Sequence, residues 1–80
     1  MSREQILEMM REVIRRQGKP DAFPETAVLR EIGFRSLDFS ELALRVEQKL
    51  GRELNFDAGR LRGIQTVADV LSFFVDATIS

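Results

Sequence analysis

Leu29 to Leu42 reads LREIGFRSLDFSEL, and this stretch decides the fold. A loop punctuated by Gly33 runs into an apolar pattern of helical period, and Ser36 stands at the join. Phe39, Leu42, Ala43, Val46 and Leu50 make one stripe of a helix over about Leu37–Leu50, closed by Gly51. The plainest reading of a serine in that place is an N-cap alone, a reading that what surrounds it turns against. The same place suits an anion, because orphan N–H groups and a partial positive charge gather at a helix start. At about 100° per residue, Leu37 and Leu44 fall away from the stripe, beside Glu41 and Gln48. Two leucines on that side mark an expected contact surface.

Outward from this centre the chain reads as helices joined by loops. Ser2 and Gln5 form a capping box before a helix over about Arg3–Gln17, which Gly18 and Pro20 stop. Ile6, Leu7, Met10, Val13 and Ile14 share its apolar face. Glu8 with Arg11, and Glu12 with Arg16, are spaced to pair along its surface. A long connection follows from Gly18 to Arg35, a length that usually carries function. Phe23, Val28, Leu29 and Ile32 are expected to pin it to the core. After Gly51 the pattern weakens: Asp57 can cap a short turn through Leu61, but Gly59 and Gly63 disfavour a longer helix. Thr66 and Asp69 then open a last helix whose stripe is Val67, Val70, Leu71 and Phe74, with Val75 at its edge and Phe73 off it. No strand pattern or internal repeat appears. The expected fold is all-α, a small four-helix bundle of three main helices and one short one, with a long first loop.

Eighty residues allow one domain, residues 1–80. The chain has no Cys, His, Trp or Tyr, which excludes thiol and imidazole chemistry along with the usual soft-ligand metal sites. Its remaining carboxylates have little chance of enclosure in so short a chain, so an enzyme is not expected. Twelve basic against thirteen acidic residues give a net charge of −1, without the basic surplus of a nucleic-acid binder. No apolar run reaches membrane-spanning length and the N-terminus is not a signal peptide. The expectation is a free-standing cytoplasmic monomer with neither nucleic-acid nor membrane partner.

With these residues in view, the chain resembles the acyl carrier protein family, which includes the peptidyl carriers. The resemblance rests on Leu29-x-x-Ile32-Gly33-x-x-Ser36-Leu37-Asp38, then Glu47, Leu50 and Gly51, and later Ile64-x-Thr66-Val67. It implies that Ser36 bears a covalent 4′-phosphopantetheine arm, moved there from coenzyme A by a phosphopantetheinyl transferase. It implies acyl or aminoacyl thioesters on the arm's thiol, delivered to ketosynthase, ligase or transferase partners in fatty-acid, polyketide or related metabolism. Partners of this family read mainly the second helix. Leu37, Glu41 and Leu44 then form the docking face, with Arg35, Asp38, Arg45 and Glu47 supplying charge around it.

Two departures matter. The family commonly places an acidic residue directly before the serine, where this chain has Arg35. A transferase that relies on a carboxylate there is expected to modify this chain poorly, and a permissive one is not. Ser36 to Gly51 also holds three acids against two bases, and Arg35 brings the balance to zero. Weak long-range steering follows, which implies a dedicated carrier with its own partners. Two other readings compete: a helical interaction module in which Ser36 only caps, and a helix–turn–helix DNA binder. The acidic residues of the second helix oppose the latter.

Overall fold

The computed structural model describes residues 1–55 and 58–79. Four helices follow in order: α1 (Arg3–Arg16), α2 (Ser36–Leu50), α3 (Ala58–Leu61) and α4 (Val67–Ile79). Among the described residues there is no strand, only an isolated antiparallel bridge between Val28 and Thr66. The expected all-α bundle is the fold found. The proposed Asp57 cap lies outside the described residues.

α1 opens on the expected capping box: Ser2 Oγ accepts from the Gln5 N–H at 3.1 Å, and Gln5 Oε1 accepts from the Ser2 N–H at 2.8 Å. Ile6, Met10, Val13 and Ile14 are buried, and Leu7 lies at the edge of that face. The face packs on α2 and α4. The surface pairs differ from those expected. Glu8 meets Arg15 at 3.4 Å, Arg15 also holds Asp21 at 2.7 Å, and Glu12 faces Arg45 of α2 at 3.7 Å. Arg11 lies instead over the Phe23 ring, 5.7 Å from its centroid. Neighbouring elements compete for these arginines, and i,i+3 or i,i+4 pairs are too weak to hold them.

The connection from α1 to α2 is tied down along its length. Phe23 and Phe34 are buried in the core, with Leu29 and Ile32 packed against it. The Leu29 N–H donates to the Gln65 carbonyl at 2.9 Å, and the Val67 N–H to the Ala27 carbonyl at 3.0 Å. The loop therefore satisfies its backbone against the approach to α4, which keeps it beside the core without a strand.

α4 begins on a reciprocal cap. Thr66 Oγ1 accepts from the Asp69 N–H at 3.2 Å, while Asp69 Oδ2 accepts from the N–H groups of Gln65 and Thr66 at 2.9 and 3.0 Å. These donors, Gln65 first and Thr66 next, hold the Asp69 carboxyl below the usual carboxylate range. A lowered folded-state pKa stabilises the protein above the unfolded value of about 3.9 and ceases to do so as pH falls through the folded value. Asp69→Asn is therefore expected to melt below the parent at neutral pH. Melting curves should show that gap closing as the pH drops through the acid range.

Val67, Val70, Leu71 and Phe74 are fully buried, as the stripe requires, and Val75 is at the edge. Phe73 is a correction in part. Although it is off the stripe, it is buried, with its ring 5.6 Å from Phe39 and 5.3 Å from Phe74 and the Arg60 guanidinium 5.4 Å over it. α2 and α3 cover the side of α4 that periodicity alone leaves open.

Candidate functional site

The site is the corner where the long loop becomes α2. Gly33 has φ +75°, a left-handed conformation that favours glycine, and a β-carbon there would sit 3.0 Å from Lys19 Nζ. That ammonium donates to the Gly33 carbonyl at 2.8 Å. Phe34 then plugs the core, Arg35 is extended (φ −113°, ψ −178°), and the helix begins at Ser36.

Ser36 is not the N-cap. Arg35 takes that position, and Asp38, at the third helical residue, accepts from the Arg35 N–H at 2.8 Å. The other Asp38 oxygen accepts from Gln17 Nε2 just beyond α1. Lys19 and Gln17 thus fasten both sides of the corner to the exit of α1. The first rung of the helix is the Phe39 N–H to the Arg35 carbonyl at 2.9 Å, so the N–H groups of Ser36, Leu37 and Asp38 have no partner within the helix. The Ser36 side chain is exposed, and its hydroxyl makes no hydrogen bond among the described residues. A phosphodiester on that oxygen fits this corner: free donors and the positive end of a fifteen-residue helix beside it, and a cationic residue immediately before it.

The remaining expected partner residues divide. Leu37 and Leu44 are 85% and 56% exposed, and Glu41 is partly exposed beside Arg45, at 3.6 Å. Arg35 is exposed. Asp38 is a correction: only 5% exposed and occupied by two donors, it has no free charge to offer a partner. Glu47 is turned to a structural task, accepting from the Leu54 N–H at 2.8 Å and so stapling the chain after α2. Arg45 is held between Glu12 and Glu41. Asp38→Ala should strand the Arg35 N–H and the Gln17 amide. We expect a loss of about 1.5–3 kcal/mol in urea unfolding, the usual worth of hydrogen bonds to a charged group.

Beside Ser36 opens a cleft of about 760 Å³, with Phe34, Phe39, Leu61 and Ile64 among its lining and Arg30 and Arg35 on its wall. Gln17, Lys19, Phe34 and Arg30 were not picked out from the sequence. The two α1-exit anchors are side-chain contacts across the fold and leave no periodic trace. Phe34, an aromatic directly after the loop glycine, was the one legible signal.

Residues 4–74 match the family described as PP-binding, the phosphopantetheine attachment site. Among solved structures, the fold is similar to the crystal structure of an acyl carrier protein from Thermotoga maritima. The TM-score is 0.72 at 21% identity, over 98% of this chain and 92% of that one. Comparison with curated proteins finds no match. With the family match spanning nearly the whole bundle, the chain belongs to the PP-binding family, whose domain is a site of phosphopantetheine attachment, and its fold is that of an acyl carrier protein.

Proposed function

We propose that Ser36 is the attachment point of the 4′-phosphopantetheine arm, and that the domain is a carrier rather than an enzyme. The observation that supports this most is the exposed, unengaged hydroxyl on the first residue of α2, at a corner tied down by Gln17 and Lys19. In the transfer, Ser36 Oγ attacks the coenzyme A phosphorus that bears the pantetheine. The new O–P bond replaces the pyrophosphate link, adenosine 3′,5′-bisphosphate leaves, and the hydroxyl proton passes to a base of the transferase. Once attached, the arm supplies the thiol that this cysteine-free chain lacks, for thioesters of acyl or aminoacyl intermediates.

Partner enzymes of fatty-acid, polyketide or related metabolism are expected to meet the face of Leu37, Glu41 and Leu44, next to the tether. Long-range steering is weak, because Glu41 is paired with Arg45 and Asp38 is buried. Such a surface suits a dedicated partner set. The test is intact mass after incubation with coenzyme A, magnesium and a permissive transferase. One added arm is expected; an unchanged mass refutes the proposal.

A further inference from the structure

α2 starts differently from the other two long helices. α1 opens on a two-way cap between Ser2 and Gln5, and α4 on one between Thr66 and Asp69. At α2 the cap position belongs to Arg35, whose guanidinium has donors only and cannot accept from the first turn. Asp38 supplies half of a cap by accepting from the Arg35 N–H, and the other half is missing. This arrangement frees the Ser36 hydroxyl from capping, but it leaves the segment that bears it weakly held by its own residues. The exit of α1 makes up the difference. Gln17 Nε2 donates to Asp38 Oδ1, just after Ser36, and Lys19 Nζ donates to the Gly33 carbonyl, just before it. The Lys19 stem also lies along Gly33, where a β-carbon would meet its Cδ at 3.2 Å and its Cε at 3.3 Å. Two side chains from one short stretch thus grip the corner on both sides of the hydroxyl.

We propose that Gln17 and Lys19 are positioning residues for the loading of Ser36, a clasp that keeps the free protein's corner in the shape the transferase reads. The inference rests on attachment at Ser36 and adds the residues that present it. A corner that is competent only part of the time must be pulled into shape on binding, and its apparent affinity falls by the competent fraction. Loss of the clasp therefore raises KM for the protein and leaves the rate at saturation alone.

The test uses Gln17→Leu/Lys19→Met, which keeps side-chain bulk and removes both donors. Transfer from coenzyme A by a permissive transferase is followed by intact mass, and amide hydrogen exchange is measured on the same proteins. KM for the variant should rise about threefold to thirtyfold with kcat unchanged, the effect of one or two lost hydrogen bonds on the corner's population. Exchange should quicken by a similar factor at residues 34–39, while the amides of Met10, Ile14, Val70 and Leu71 keep the parent's rates. Arg35→Ser supplies the side-chain acceptor that the guanidinium lacks. In that background the same double substitution should cost much less in KM.

Parent values of KM and of corner exchange in the clasp variant overturn the proposal. Exchange that quickens evenly through the bundle does so too, because the two residues then serve only overall stability. So does a KM penalty of equal size in the Arg35→Ser background, or a fall in kcat at the parent's KM. A parent protein that takes up no arm is a different result: it removes attachment at Ser36, and the proposal with it.

Discussion

The Ser36→Ala variant is expected to fold as the parent does and to take up no arm at all. The side chain is exposed and its hydroxyl engages no described residue, so its removal leaves no buried group unsatisfied. Position 36 is the first of the helix, and the N-terminal backbone is organised by Asp38 through the Arg35 N–H, which the substitution does not touch. A change of no more than about 0.5 kcal/mol in unfolding free energy is therefore expected. Loss of modification should be complete, because Ser40, the other hydroxyl lining the cleft, lies a turn further into α2 and not at its first residue. Circular dichroism and denaturant titration check the first half, and intact mass after transferase treatment checks the second. A variant still modified would move the site; a variant that unfolds would make Ser36 a structural residue.

Phe74→Ala should have the opposite profile. Phe74 is fully buried on α4, with the Phe39 ring 5.2 Å and the Phe73 ring 5.3 Å away. Its loss removes the transfer energy of the ring, leaves a cavity between α2 and α4, and breaks the aromatic cluster behind the Ser36 corner. Such truncations cost about 3–5 kcal/mol. A domain of this size has roughly 4–12 kcal/mol in total, so the variant loses a large share of its stability. At about 4–8 °C per kcal/mol, the melting temperature should fall by at least about 12 °C. Leu37→Ala, on an 85% exposed side chain, should leave it almost unchanged. Comparable losses at positions 37 and 74 would contradict the assignment of core and face.

These contrasts show which parts of the molecule the sequence makes legible. The stripes of α1, α2 and α4 follow from spacing, because burial of one helical face leaves a period that any reader can count. The caps at Ser2 and Thr66 follow from side-chain chemistry within three residues. Ser36 was legible as a special position, but the reading of it as the cap fails, since Arg35 takes the cap once Asp38 turns inward. Asp38 shows why: its charge reads as a surface charge along the chain, and only the approach of Gln17 from α1 makes it an internal acceptor. The same holds for Phe73, which joins the core because α2 and α3 cover it. What depends on neighbours in space, including Glu47 on the Leu54 N–H and the unengaged Arg30 and Arg35, has no signature in one-dimensional spacing.

The most direct measurement is fragment mass spectrometry of the protein recovered from its own host, with a competent transferase present. The account predicts a single pantetheine-bearing phosphodiester, located on the peptide at Ser36. Protein that is always bare there, or that carries the arm on another residue, would contradict it.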